Sequence, residues 1–184
     1  MAGHSHWKTI KRTKEAEDKK RSKLFSKLAQ EISITAREKG KDPKSNPNLR
    51  TIIEKAKSSN MPKEKIERAI QKGAGELNEK ELENILIEAY GPSGIAIIIE
   101  GITDRKNQAL MEIKQILTKH QGKLVGEGSV QWLFEKKIDP KSNSLEWIAK
   151  NKIELSQTKK EVIEKLFMAL DEVEAVQKIY HNVS

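Results

Sequence analysis

Hydrophobic residues in the first part of the chain recur at the spacing of amphipathic helices. They predict one helix over residues 22–39, a second that opens at Asn46-Pro47, and a third that starts at Pro62. The inward-facing positions are Leu24, Phe25, Leu28 and Ile32, then Leu49, Ile52, Ile53 and Ala56, then Ile66, Ala69 and Ile70. The helices are predicted to end at Gly40, Asn60 and Gly73. We therefore expect a three-helix bundle within residues 1–75.

After Gly75 the pattern changes to short β-branched runs, which are typical of strands. Strands are predicted over 83–90, 95–102, 130–134 and 175–180, with a turn at Gly91-Pro92-Ser93-Gly94 after the first. One helix is predicted behind Thr103-Asp104, and another behind a capping box formed by Thr158 and Glu161. The inward positions of these helices are Ala109, Leu110, Ile113, Ile116 and Leu117, then Val162, Ile163, Leu166, Phe167 and Leu170. Residues 137–157 look irregular. The order β-β-α-β-α-β predicts an α+β protein whose second domain, 76–184, is a sandwich with helices on one sheet face.

Positive charge is concentrated in the first domain. Residues 1–75 hold 20 Lys/Arg against 9 Asp/Glu, a net charge of +11, whereas residues 76–184 hold 15 against 18, a net charge of −3. Such asymmetry favours a polyanionic partner for the first domain. The alternative interpretation is a solvated lysine surface without a partner.

Several classes of function are disfavoured by the sequence. The absence of cysteine excludes disulfides, cysteine-ligated zinc and thiol catalysis. The sequence contains no secretory signal and no apolar run long enough to span a membrane, so we expect a cytoplasmic protein. It also lacks the common phosphate-binding, zinc-hydrolase and nucleophile-elbow motifs, so we expect no enzymatic activity. Neighbouring carboxylates at Glu79, Glu81 and Glu83 are more typical of a surface linker than of an acid–base pair.

The amino-terminal sequence offers one metal-binding alternative. After removal of Met1, Ala2-Gly3-His4 would present an amine, two amides and an imidazole, a donor set suited to Cu(II) or Ni(II). This motif is short and common, and a polar tip that happens to contain histidine is the simpler interpretation. We predict no metal site and no cofactor.

A dense run of cations makes nucleic acid the predicted partner. Residues 1–21 form a basic arm, with a short helix from about Lys14, and Lys20, Lys23 and Lys27 would share an arc of about 60° on the following helix. The predicted nucleic-acid-binding residues are His4, Trp7, Lys8, Lys11, Arg12, Lys14, Lys19, Lys20, Arg21, Lys23, Lys27 and Arg50. Lysine predominates among them, which favours phosphate over base recognition. Trp7 is a candidate stacking residue, although its ring could instead pack on the bundle.

Motifs along the whole chain resemble the YebC family. The first domain carries Met1-Ala2-Gly3-His4-Ser5-His6-Trp7, Lys23-Leu24-Phe25, Asn46-Pro47-Asn48-Leu49-Arg50, Asn60-Met61-Pro62 and Ile66-Glu67-Arg68-Ala69-Ile70. The second carries Glu88-Ala89-Tyr90-Gly91-Pro92, Gly128-Ser129-Val130 and Val176-Gln177-Lys178-Ile179-Tyr180-His181-Asn182.

This resemblance implies a probable transcriptional regulator that binds DNA. The family also includes bacterial members, and a mitochondrial activator of cytochrome oxidase synthesis, that act in translation on the ribosome. The expected partner is therefore DNA, or alternatively ribosomal RNA, with no membrane and no small-molecule substrate; the oligomeric state stays open. Family proteins typically insert a third domain between the strand near Phe134 and the last helix, and here residues 138–157 replace it with a short linker.

Overall fold

The structure is a computed structural model that describes residues 14–140 and 144–184. The chain divides into two compact units, with the division between Glu83 and Asn84. The first is helical and the second contains all six strands of the described residues, so the predicted α+β class is confirmed. Independent folding of residues 76–184 stays a prediction.

Three helices form the first unit: α1 (Lys14–Lys39), α2 (Pro47–Ser58) and α3 (Lys63–Gly73). Their shared core consists of Phe25, Leu28, Ile32, Ala36, Leu49, Ile53, Ala56, Met61, Ile66 and Ala69. Helix α1 is continuous from Lys14 and longer than predicted. The inward assignment of Leu24 was wrong, because this residue lies at the edge of the apolar stripe and is 41% exposed.

Asn46 fastens the start of α2 to the end of α1. Its side-chain oxygen accepts a hydrogen bond from the amide of Leu49 at 3.0 Å, which is the predicted cap. Its amide nitrogen donates to the carbonyl oxygens of Thr35 at 3.0 Å and Gly40 at 2.8 Å. The buried side chain therefore satisfies backbone groups of two helix ends at once.

The second unit is built on a four-stranded sheet with strand order β3-β1-β2-β6. The bounds of its strands are β1 Glu83–Tyr90, β2 Ala96–Thr103, β3 Lys123–Val125 and β6 Val176–His181. Helices α4 (Lys106–Lys119) and α5 (Gln157–Asp171) cover one face of the sheet. A hairpin of β4 (Phe134–Ile138) and β5 (Leu145–Ala149) covers the other face, where Ala96 and Ile98 pack with Val130 and Phe134. The predicted placement of both helices on one sheet face is therefore correct.

Four local predictions for this unit were wrong. In chain order, the third strand of the sheet is β3 and not the predicted strand 130–134. Part of that predicted strand is instead a 3-10 turn over Gln131–Leu133. The region 137–157, predicted to be irregular, contains strand β5. Helix α5 begins at Gln157 with Ser156 in the N-cap position and no side-chain capping hydrogen bond, so the predicted box of Thr158 and Glu161 does not form. Val162, predicted to face inward on this helix, is also largely exposed.

Candidate nucleic-acid interface

Half of the predicted binding residues cannot be located structurally. His4, Trp7, Lys8, Lys11 and Arg12 lie outside the described residues. Lys14 is the first residue of α1, but its side chain lies outside the described part of the structure. The other predicted residues are Lys19, Lys20, Arg21, Lys23, Lys27 and Arg50.

The continuous α1 helix brings three of these cations onto one face. At about 100° per residue, Lys20, Lys23 and Lys27 fall within an arc of about 60°. The core residues Leu28 and Ile32 lie on a different side of the same helix. Lys20 is exposed, whereas Lys23 and Lys27 are partly buried. We call Lys20, Lys23 and Lys27 the α1 cationic face.

Arg21 and Arg50 have different environments from this face. Arg21 is engaged by Asp18, one turn earlier on α1, in an ion pair that leaves both side chains largely exposed. Arg50 is exposed near the start of α2, beside the exposed Asn48. Among the described residues, no ion pair involves Arg50. The structure therefore places Arg50 on a separate element from the α1 cationic face.

A second group of cations in the first unit is already neutralised. Residues 76–81, which follow α3 and are called here the acidic segment, supply Glu76, Glu79 and Glu81. Glu79 contacts Arg68 at 2.6 Å and Lys72 at 3.0 Å. The acidic segment also pairs Glu76 with Lys41 and Glu81 with Arg37.

The cations around the acidic segment change the pKa of Glu79. A hydrogen bond and the positive charge of Lys72, together with Arg68, lower the pKa of this carboxyl below its ordinary value. The acids of this segment therefore compete with any external anion for Arg37, Lys41, Arg68 and Lys72. The α1 cationic face lies outside these contacts.

Metal binding and membrane insertion find no candidate site among the described residues. Within 14–140 and 144–184, no cluster of three or more His, Cys, Asp or Glu side chains could hold a metal ion. The Ala2-Gly3-His4 alternative lies outside this range. No helix in the described part of the chain is both long and apolar enough to cross a bilayer.

Sequence reasoning missed one conspicuous aromatic residue. Trp132 is 64% exposed, although its neighbours Val130 and Phe134 are buried. In the strand predicted over 130–134 these three side chains would share one face. The 3-10 turn at Gln131–Leu133 breaks that alternation and directs Trp132 outward. Local sequence carried no signal that distinguished this turn from a strand.

Comparisons with known proteins identify both units. A family model described as the TACO1/YebC protein N-terminal domain matches residues 5–76. A model of the TACO1/YebC second and third domain matches residues 82–139 and 135–183. The chain is also similar to a crystal structure of a conserved hypothetical protein from Aquifex aeolicus, with a TM-score of 0.85 and 32% identity, covering 98% of this chain and 97% of that one.

Two bacterial relatives show how much of their length the chain spans. A probable transcriptional regulatory protein of Petrotoga mobilis is 53% identical over 137 residues, which cover 74% of this chain and 55% of that protein. The chain thus spans about half the length of the first curated relatives it matches. A probable transcriptional regulatory protein of Thermoanaerobacter pseudethanolicus is 37% identical over 238 residues, covering 100% of this chain and 97% of that protein.

The alignment with the Thermoanaerobacter relative is longer than this 184-residue chain, so that relative carries residues that have no counterpart here. The length of the chain fits a form without the inserted domain. The family models together match most of the chain, from residue 5 to residue 183. The chain therefore belongs to the TACO1/YebC family.

Proposed function

We propose that this protein is a non-enzymatic regulator of gene expression that binds nucleic acid through its basic amino-terminal residues and the α1 cationic face. The observation that carries the proposal is the alignment of Lys20, Lys23 and Lys27 on one side of a helix whose other side is buried in the core. The relatives named probable transcriptional regulatory proteins support a role in transcription, and we place the activity in the cytoplasm.

Phosphate neutralisation would supply most of the binding free energy. Lysine ammonium groups act as mobile point charges and contact backbone phosphates without reading base edges. Fifteen of the twenty cations in residues 1–75 are lysines. Binding to duplex DNA should therefore weaken with salt by about 0.9 log units per log unit of salt for each phosphate neutralised.

Duplex DNA is our first choice of target, because a helix with a basic face can lie along its phosphates and the relatives are named transcriptional regulators. Binding to ribosomal RNA is the second candidate. The favouring observation is the lysine excess of residues 1–75, fifteen lysines against five arginines, because lysine contacts phosphate without reading base edges. A factor that reads few bases suits a dense, irregular RNA backbone.

The experiment is a charge reversal with a matched control. Replacing Lys19, Lys20, Arg21 and Lys23 by Glu should nearly abolish binding to both duplex DNA and ribosomal RNA while the melting temperature stays close to that of the wild type. The control reverses four exposed lysines of the second unit, Lys106, Lys114, Lys119 and Lys123, which changes the net charge equally. Unchanged affinity in the α1 variant, or equal losses in the two variants, would reject the proposed interface.

A competition experiment separates the two targets. A DNA regulator should prefer its operator over bulk nucleic acid by a factor on the order of a thousand or more. A ribosome factor should show no such preference for any promoter fragment and should co-sediment with ribosomal particles. Deletion of residues 1–12 should abolish that co-sedimentation. A discrete operator footprint without co-sedimentation would eliminate the translational candidate.

A further inference from the structure

Trp132 is exposed although its segment is firmly anchored in the second unit. Its indole nitrogen donates to the carbonyl oxygen of Ser129 at 2.9 Å. The ammonium group of Lys150 donates to the carbonyl oxygen of Trp132 at 2.8 Å, and the Lys150 amide donates to Leu133 at 2.9 Å. The hydroxyl of Tyr90 also reaches the Ser129 carbonyl, at 3.4 Å. These bonds hold the ring edge and the peptide on both sides.

Beneath this turn a buried carboxylate holds the backbone that leads into it. Glu88 on β1 is 3% exposed. Its oxygens accept hydrogen bonds from the amides of Gly128 at 2.6 Å, Val130 at 2.6 Å and Gln131 at 3.1 Å, and from the Gln131 side chain. Burying a carboxylate is costly unless such donors surround it. Glu88 therefore immobilises residues 128–131 immediately before the exposed ring.

We propose that Trp132 is a stacking site for an unpaired nucleobase, an inference that rests on the proposed nucleic-acid function and extends it to the second unit. A large exposed ring that is already fixed in place loses little conformational freedom on stacking. One cation lies beside the turn, because the ammonium group of Lys150 donates to the Trp132 carbonyl oxygen. A planar base can stack on the ring alone, and the nearby ammonium group of Lys150 would attract the phosphate attached to that base.

The covalent link between the units strengthens the inference. A nucleic acid held by the first unit has a raised effective concentration at any second site on the same chain that the strand is long enough to reach. A single stacked base can then add measurably to the total affinity, even though residues 76–184 carry a net charge of −3. Stacking contributes on the order of fivefold to a hundredfold in affinity per base.

The test compares bases with backbone alone. The full chain is titrated with a short single-stranded oligonucleotide and with a strand of equal length made of abasic sites. Trp132→Ala should weaken binding of the base-containing strand about tenfold and leave the abasic strand unaffected, and Trp132→Phe should fall between. Met111→Ala, at another exposed apolar residue of the same unit, should match the wild type for both strands.

The outcomes separate this inference from the proposed function. If the α1 charge-reversal variant loses both strands while Trp132→Ala binds both normally, nucleic-acid binding stands and the stacking site is rejected. Equal losses of Trp132→Ala on the two strands would also reject stacking. If the wild type binds neither strand, the stacking site is rejected, and the charge-reversal experiment with duplex DNA and ribosomal RNA decides the proposed function separately. The Trp132→Phe variant retains an aromatic ring, so a loss of affinity that it does not partly restore would contradict the stacking role.

Discussion

Gly73 on α3 lies so close to the backbone carbonyl of Ser33 on α1 that a side chain at position 73 would collide with it. A Cβ atom added at Gly73 would lie 2.2 Å from that oxygen. The hydroxyl of Ser33 donates to the carbonyl oxygen of Ala69 at 2.7 Å and joins the same two helices. The close approach of α1 and α3 therefore depends on glycine at this position.

Gly73→Ala should consequently destabilise the first unit. The helices would have to separate, and overpacking of this kind typically costs about 1–3 kcal/mol. Thermal or denaturant unfolding of the purified protein measures the change. Gly126→Ala is the control, because its added Cβ would meet no atom closer than 3.9 Å. Equal stability of the two variants would show that the contact can relax without cost.

Neutralising the acidic segment should strengthen nucleic-acid binding. In a variant with Glu76, Glu79 and Glu81 replaced by Gln, the released cations Arg37, Lys41, Arg68 and Lys72 could contact additional phosphates. We expect tighter binding and a salt slope steeper by about 0.9 for each new phosphate contact. Affinity measured over a series of salt concentrations reports both quantities.

The matched control for that experiment replaces three exposed acids elsewhere. Glu54, Glu64 and Glu174 are exposed, and changing them to Gln alters the net charge equally. A nonspecific effect of net charge would raise the affinity of both variants by the same amount. An unchanged salt slope in the acidic-segment variant would show that the four released cations do not reach phosphate.

Glu88 should make the stability of the second unit depend on acidity. Burial alone would raise its pKa, but hydrogen bonds from Val130, Gln131 and Gly128 outweigh this effect and hold the pKa below its ordinary value of 4.5. Its contribution is therefore complete above pH 4.5 and is lost as the pH falls through the lower pKa of the folded state. Unfolding measured across this range should show the loss.

Glu88→Gln provides the corresponding substitution test. The neutral amide cannot accept all the bonds of the carboxylate, so we expect a loss of about 2 kcal/mol near neutral pH. The stability difference between wild type and variant should shrink in acid, because protonation weakens the wild type alone. A difference that stays constant from neutral to acidic pH would contradict the role given to the carboxylate. The exposed Glu127→Gln should follow the wild-type profile.

Residues 76–184 should fold alone and bind nucleic acid weakly. Their core joins the central strands with α4 and α5, and the hairpin β4–β5 packs on the opposite face. The isolated fragment should melt cooperatively, which circular dichroism would detect. An unfolded fragment would show that the boundary after Gly75 is misplaced. Strong binding of nucleic acid by the fragment would contradict the assignment of that binding to the first unit.

Several features could be predicted from the sequence because nearby residues cause them. Asn46 caps α2 through an amide only three residues away. Strand β1 was predicted with its observed bounds, since its β-branched and aromatic residues are followed directly by glycine and proline. The shared arc of Lys20, Lys23 and Lys27 likewise follows from helical geometry and spacing alone.

The chain by itself therefore determined the three helices, the principal strands, the charge asymmetry and the family. Only the tertiary structure decided which cations the acidic segment neutralises, that β3 completes the sheet, and that Trp132 faces solvent. Each depends on groups far apart in sequence: Glu81 pairs with Arg37 on α1, β3 pairs with β1, and Glu88 on β1 holds the amides of residues 128–131. Local periodicity carries no information about such pairings, because their free energy arises only when separate elements pack together.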